Sequence, residues 1–434
     1  MTSTQLPAQG LVFWPVGTGD STTIVIDDDH VIQVDIHDMT MADEDDAIVA
    51  AVADRLVEVL PERNGQPYLA AFILTHADKD HCLGFADLLG QVTIGELWAT
   101  PRLWREYTEH DVELCDDAKS FHEEVLRRVD ATLAAVAAGK EPSSGDRIRV
   151  VGYDTEQDTF SYHDLPAEYL SHPGDAVAIV DGEDVSSRFE AFIHAPFKDD
   201  CAAERNDTSL AIQITLKTEE GDEGHALLLG DLAYETITKI FDYSEDNDRP
   251  ERLTWEVLLA PHHCSKKVMY VTEDGTEVLK QDLLDKVERH EAGSATVVVS
   301  SNEFPQSNKT GDNPPHLLAQ ARYEEIADSL VCTGEYPDVD APRPVVFGID
   351  GDGFALLESE EEAIEAVTKS ADSRGALVAG GVGVLAALAA TYIASRRRRQ
   401  TKPQGGGLEE VRRAVTTARG DEAAPQQPVG FGQS

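Results

Sequence analysis

Seven residues, Thr75-His76-Ala77-Asp78-Lys79-Asp80-His81, constrain the fold of this chain more than any other stretch. They follow an apolar run, residues 68–74, with the length and composition of a buried strand. Two histidines and two aspartates then fall within six residues. Imidazole nitrogen and carboxylate oxygen are good ligands for zinc, manganese or iron. A strand that ends in a tight loop aims several such groups at one point. A metal bound there lowers the pKa of a coordinated water and supplies hydroxide near neutral pH. The alternative is a polar loop that happens to carry two histidines, and the rest of the chain weighs against it.

Two further polar clusters stand at the ends of apolar runs. Leu229-Gly230-Asp231 closes a strand, and Pro261-His262-His263-Cys264-Ser265 follows another over 257–260. Strand ends on one sheet edge converge, so ligands distant in sequence can meet. Two metals about 3.5–4 Å apart need a bridging carboxylate, and Asp231 is the candidate.

The order of elements suits a sheet packed on helices. Residues 11–26 read as two strands around the turn 16–21, and 31–36 as a third with Asp35 near its end. A helix is expected over 47–60, another opening at 83–89, and a strand at 94–99. Residues 111–140 are long, charged and almost free of breakers, and read as a helical insertion within 101–145, a packing or dimer element. Strands follow at 176–180 and 189–193, a hairpin at 210–229, and a strand at 296–300. The pattern ends with a helix over 317–330 and a β-hairpin over 345–357.

These residues carry a resemblance. His76-Ala77-Asp78-Lys79-Asp80-His81 resembles the His-x-His-x-Asp-His motif of the metallo-β-lactamase fold, with Asp78 in place of the middle histidine. That replacement is similar to the ComEC-like branch. So are Val16-Gly17-Thr18-Gly19-Asp20, Asn206-Asp207-Thr208-Ser209-Leu210, Leu228-Leu229-Gly230-Asp231 and Pro261-His262-His263-Cys264-Ser265. The resemblance covers residues 10–355 in order and implies an α+β fold, an αββα sandwich with a metal site on one edge. It implies His76, Asp78, Asp80, His81, Asp231, His262 and His263 as ligands of two zinc (or manganese) ions. Asp80, His81 and His263 are the expected catalytic residues, with Asp80 also orienting the attacking water. Cys264 departs from the branch's usual glycine and is a ligand or filler. His316 or Asn313 stands where the branch has a Gly-His-Pro segment, and His194 is a structural loop histidine or a further ligand.

Composition limits the partners. Lys plus Arg is 36 against 81 Asp plus Glu, a formal net charge of −45. Hydrophobic residues make up 41% of the chain, enough for a core, so the acid is a solvated surface rather than a disordered tail. Such a surface suits high salt, which screens its self-repulsion, and a halophilic host is expected. It also opposes a broad nucleic-acid footprint. A phosphodiester substrate, nucleic acid included, is the first expectation. The alternatives are hydrolysis of a small ester, lactam or cyclic nucleotide, and a membrane-tethered binding module without catalysis. Five cysteines without a C-x-x-C pair argue against a disulfide framework. Cys82, beside His81, reads as a small buried residue.

Residues 1–358 are expected to form the hydrolase domain and 359–374 a charged linker. Residues 375–395 follow as a transmembrane helix, since 375–394 carry no charge and at about 1.5 Å per residue cross a hydrocarbon core of roughly 30 Å. Arg396–Arg399 and a Gly/Pro/Gln-rich tail, 396–434, complete the chain. The arginines favour a cytoplasmic tail. The absence of a basic, apolar leader in the first residues and the unpaired cysteines favour a cytoplasmic hydrolase domain on a membrane anchor.

Overall fold

The computed structural model describes residues 6–39, 42, 48–106, 114–152, 161–197, 206–307 and 313–357. The chain falls into two units, Met1–Arg374 and Gly375–Ser434. The expected linker, membrane span and tail lie outside the described residues. Among the described residues no helix is long and apolar enough to cross a membrane.

Two mixed sheets pack face to face. The first runs in space Gly353–Leu356, Val345–Asp350, Gly10–Phe13, Thr22–Val25, Val31–Val34, Gln66–Ile73, Thr93–Ala99, Arg147–Val151, Leu170–Ser171, with Glu62–Arg63 hooked onto Gln66–Ile73. The second runs Ser329–Cys332, Glu291–Val299, Trp255–Leu259, Glu223–Leu228, Ala211–Lys217, Phe189–Ala195, Ala176–Val177. One apolar cluster, with Ile73, Trp98, Ile212, Leu228 and Val257, fills the space between them. A second joins the outer face of the first sheet to the helices Val52–Val59, Phe85–Gln91 and Asp116–Ala137. A third joins the outer face of the second sheet to Tyr234–Asp246, Gln281–Arg289 and Leu317–Ile326. The layers are therefore helix, sheet, sheet, helix. Central strands are covered on both faces, which is why residues 68–73 and Trp255–Leu259 are buried without alternation.

Topology places the site. Val31–Val34 and Gln66–Ile73 are parallel, so Asp35 and the His76 turn leave the first sheet at one edge. Thr22–Val25 is antiparallel to Val31–Val34, with Thr22 opposite Val34, so Asp20 enters at that edge. In the second sheet Glu223–Leu228 and Trp255–Leu259 are parallel, which sends Asp231 and His262-His263 out together. Ala211–Lys217 is antiparallel to Glu223–Leu228, so residues 206–209 arrive there too. The Leu210 N–H donates to the Thr75 carbonyl at 3.0 Å and ties the two edges together.

The charged stretch read as an insertion contributes to the outer layer. Asp116–Ala137 is one helix of 22 residues. Phe121 packs 6.0 Å from Phe72 and 4.9 Å from Phe85, contacts worth about 0.5–1.5 kcal/mol each beyond simple burial. Arg128, 1% exposed, pairs with Glu124 and donates to the carbonyls of Ile94, Gly95 and Arg147. A buried guanidinium so satisfied clips the helix across two strands. One of them, Arg147–Val151, is hidden in the sequence because Arg147 and Arg149 interrupt its apolar pattern; Asp181 and Glu96 pair with them.

Two expected elements are corrected. The helix expected over 317–330 stops at Ile326, and Ser329–Cys332 instead continues the second sheet beside Glu291–Val299. Pairing with Val297 and Val298 outweighs helix propensity there. The strand expected over 176–180 divides into Ala176–Val177 and Ile179–Val180, which pair in different sheets.

Candidate metal centre

The site is built from two turns. In the first, His76 leaves the strand Gln66–Ile73 and a single helical turn, Lys79–Cys82, carries Asp80 and His81. In the second, His262, His263 and Cys264 have φ of 51°, 53° and 66°. Three consecutive non-glycine residues in the left-handed region cost about 1–2 kcal/mol each. The His262 N–H donating to Gly230 at 3.0 Å and the Ser265 N–H donating to His262 at 2.9 Å hold the turn. Strain kept in this way marks a turn shaped for something besides stability.

Asp231 is the common neighbour. Its Oδ1 lies 3.3 Å from His81 Nε2 and 3.4 Å from His263 Nε2. Its Oδ2 lies 3.8 Å from His76 Nε2 and 3.7 Å from His262 Nε2, and accepts from Asn206 Nδ2 at 3.4 Å. Asp78 Oδ2 is 3.7 Å from His76 Nε2, and Asp80 Oδ2 is 3.4 Å from His263 Nε2. The histidines thus divide into His76 and His262 about one oxygen and His81 and His263 about the other, with Asp78 against His76 and Asp80 against His263. His76, His81, His263 and Asp231 are at most 4% exposed, whereas Asp78, Asp80 and His262 range from 20% to 37% and open the cluster to solvent.

A second ring of groups orients these donors. Asp35 Oδ2 is 2.8 Å from His81 Nδ1 and accepts from Thr75 Oγ1 at 2.6 Å, while Asp35 Oδ1 accepts from the Thr75 N–H at 2.8 Å. Asp20 Oδ1 is 3.4 Å from His263 Nδ1. Thr75 Oγ1 and Ser209 Oγ lie 3.1 and 3.3 Å from His76 Nδ1. In each case the outer nitrogen meets an oxygen and Nε2 faces inward. Gly19 lets this ring close: a Cβ there would fall 2.2 Å from His37 Nδ1 and 2.7 Å from the Asp80 carbonyl, to which the Asp20 N–H donates at 3.0 Å.

The electrostatics fit a cation. His76 Nε2 and Asp231 Oδ1, which face the centre, are buried without a hydrogen-bond partner among the described residues, at about 1–3 kcal/mol each if nothing fills the site. Burial opposes protonation of His263, yet Asp231 and Asp20 carry it to about 10. Against the same effect of burial, Asp231 and Asp35 carry His81 well above its usual value. Burial, then the neighbouring His81, brings His76 down to about 3. Asp231 stays well below the carboxylate range because His263 and His81 outweigh its burial. A centre that draws protons onto two buried imidazoles and keeps a third neutral wants positive charge. One ligand atom each from Asp20, His81, Asp231 and His263 lies within 4.8 Å of the others.

All seven residues expected as ligands meet here. Asp20, Asp35, Thr75 and Ser209 complete the site, and sequence reasoning did not single them out as site residues. Asp35 carried a signal, an aspartate ending a strand parallel to the one before His76. His194 does not join them: its Nε2 contacts the Arg252 carbonyl at 2.9 Å and its ring packs on Phe192. His316 braces the second turn, its Nδ1 accepting from the Lys266 N–H at 3.2 Å and its N–H donating to Cys264 at 3.1 Å. The Cys264 side chain packs into the outer apolar layer, the role of filler.

No family model matches this chain, and no curated protein matches it. Among solved structures it is similar to a diphosphatase of the PhnP family, with 9% identity over 78% of this chain and 87% of that one and a TM-score of 0.33. It is also similar to BJP-1, a subclass B3 metallo-β-lactamase of Bradyrhizobium japonicum, with 15% identity over 67% and 93% and a TM-score of 0.28. A third is an archaeal metallo-β-lactamase superfamily protein from Sulfolobus tokodaii, with 10% identity over 74% and 97% and a TM-score of 0.26. At such distances the residue roles rest on the geometry above.

Proposed function

We propose that this chain is a metal-dependent hydrolase of the metallo-β-lactamase kind, ComEC-like in its motifs, that cleaves phosphodiesters. The observation that carries this reading is Asp231, whose two oxygens each face a separate pair of histidines, with Asp78 beside His76 of one pair and Asp80 beside His263 of the other. His76, Asp78 and His262 would hold one zinc or manganese ion and Asp80, His81 and His263 a second, with Asp231 shared. Bound there, the ions supply a hydroxide near neutral pH and neutralise charge on a phosphoryl group.

The chain's own groups do the rest. Asp35 and Asp20 fix the tilt of His81 and His263. Asp80, the most exposed of the candidate ligands, remains a carboxylate: burial raises its pKa, but His263 and His81 outweigh that effect. Facing solvent, it accepts a hydrogen bond from an attacking water and orients it. Lys79, between Asp78 and Asp80, and Lys267, four residues past His263, are exposed and have no ion pair among the described residues. Their neighbour Lys266 pairs with Glu277 at 2.6 Å. Two uncommitted cations beside the cluster, in a chain of net charge −45, suit a substrate bearing negative charge.

We further propose that residues 375–395 tether the hydrolase to the membrane from the cytoplasmic side. The supporting features are the uncharged run and the arginines after it.

The test is hydrolysis of single- and double-stranded DNA and of bis(p-nitrophenyl) phosphate, with zinc or manganese, by the full chain and by an Asp80→Ala, His81→Ala variant. Cleavage that the variant loses supports the reading. Bound metal with turnover only of a neutral ester or lactam moves the assignment to small-molecule hydrolysis, and a folded protein that retains no metal leaves a binding module.

A further inference from the structure

The turn that carries His81 also carries a thiol, and a second thiol lies against it. Cys82 Sγ is 3.5 Å from Cys115 Sγ, and both cysteines are free. They come from different places. Cys82 is the last residue of the helical turn Lys79–Cys82 and is 1% exposed. Cys115 is partly exposed and caps the helix Asp116–Ala137, its sulfur accepting from the Ala118 N–H at 3.5 Å. A thiol at a helix N-terminus is favoured as the thiolate, the form that attacks disulfides. The hydrogen bond from Cys82 also lowers the Cys115 thiol, against the opposing effect of burial, and holds the proton on Cys82 until Cys115 has reacted.

We propose that Cys82 and Cys115 form a reversible disulfide that couples thiol redox state to the metal centre. This rests on the metal-site reading above only for its consequence, not for the bond itself. The partner is a small disulfide such as oxidised glutathione. The accessible Cys115 thiolate attacks it, forming a mixed disulfide and releasing one glutathione thiolate, which takes up a proton. The Cys82 thiol then loses its proton and attacks Cys115 Sγ, expelling the second glutathione. Two protein thiols are oxidised to one disulfide and one glutathione disulfide is reduced to two thiols.

Closing the bond brings sulfurs now 3.5 Å apart to about 2.05 Å. Both ends are held: Cys115 caps a helix of 22 residues clipped to the sheet by Arg128, and Cys82 ends a single helical turn tied by the Asp20 N–H to the Asp80 carbonyl at 3.0 Å and the Ile36 N–H to the His81 carbonyl at 2.9 Å. The movement is therefore shared, and its Cys82 part falls on Lys79–Cys82, the turn that holds Asp80 and His81. Its bonds, His81 N–H to Asp78 at 3.0 Å and Leu83 N–H to Lys79 at 3.0 Å, transmit the shift to Asp78. Metal sites lose about 10–100-fold in affinity when ligand orientation is disturbed.

The experiment uses the full reduced chain, loaded with zinc and then exposed to excess oxidised glutathione. Intact mass, peptide mapping and the rate of zinc release to a chromophoric chelator are read together, before and after a dithiol reductant. The proposal expects a mass lower by two hydrogens, a cross-linked peptide joining Cys82 to Cys115, and zinc release at least about tenfold faster, reversed by the reductant. The Cys115→Ser variant, which leaves Cys82 without its partner, should keep the slow release after the same treatment. A persistent glutathione adduct on Cys115, or five unmodified thiols, overturns the pairing. A mapped disulfide with unchanged zinc release overturns the coupling. If the reduced protein takes up no zinc, the metal reading fails and the coupling with it, while the mass still decides the disulfide.

Discussion

Asp35 Oδ2 stands 2.8 Å from His81 Nδ1, both fully buried, and so decides which nitrogen His81 presents to the cluster. With Nδ1 engaged, Nε2 is left facing Asp231 at 3.3 Å. Asp35→Asn keeps the shape but offers an amide in place of a carboxylate, and the tautomer is no longer fixed. Zinc affinity should fall about 10–100-fold with the fold intact. Chelator competition measures it, and an unchanged affinity would show that Asp35 only fills space.

The metal-free protein should have a characteristic pH dependence. His263 is raised in the folded state to about 10, and His81 is raised as well. A raised histidine adds stability in full below its unfolded pKa of about 6.5 and loses it as pH rises through the folded value. The melting temperature of the metal-free protein should therefore decline between about 6.5 and 10. His76, held down at about 3, acts on the other side: it costs stability as pH drops below about 6.5. Metal binding displaces the protons on His263 and His81, so affinity should rise with pH across the upper window. A flat melting profile from pH 6.5 to 10 would contradict the assignment of charge in the cluster.

Arg128→Ala tests whether the long charged helix belongs to the core. The change leaves three backbone carbonyls and Glu124 without their shared donor. Glu124 keeps Arg127 and the Gly95 carbonyl keeps the Gly145 N–H, so the expected cost is about 1–3 kcal/mol, that of leaving buried carbonyls unpaired. Urea unfolding measures it. A loss under about 0.5 kcal/mol, typical of surface changes, would mean that the helix is an appendage.

Salt should stabilise the protein. A net charge of −45 repels itself across the surface, and the screening length shortens from about 10 Å at 0.1 M to about 3 Å at 1 M. The melting temperature should climb steadily over that range of potassium chloride. A melting temperature insensitive to salt would argue against a surface suited to high salt.

Much of the site was legible in the sequence because its ligands follow uninterrupted apolar strands. His76, Asp231 and His262-His263 each mark the point where a buried run meets polar text, and parallel pairing sends those ends to one edge. Asp20 was harder to read as a site residue. It precedes its strand, and it reaches the edge only because Thr22–Val25 runs antiparallel to Val31–Val34. Arg147–Val151 and the outer helix Gln281–Arg289 were missed because charges mask their buried faces, and the helix buries only Leu283, Leu284 and Val287. Ser329 and Leu330 fall within the expected helix because the strand character of Ser329–Cys332 comes from a neighbour 33 positions earlier in the chain, a long-range term that local pattern does not carry. The Cys82–Cys115 contact was equally out of reach, since it joins residues 33 positions apart.

The most direct measurement is the metal stoichiometry of the purified full chain beside that of Asp231→Asn, by elemental analysis after dialysis against zinc. The account predicts two ions per chain, with the variant retaining at most one and losing hydrolysis of bis(p-nitrophenyl) phosphate. Equal metal content in the two proteins, or none in a folded wild type, would contradict a centre built around Asp231.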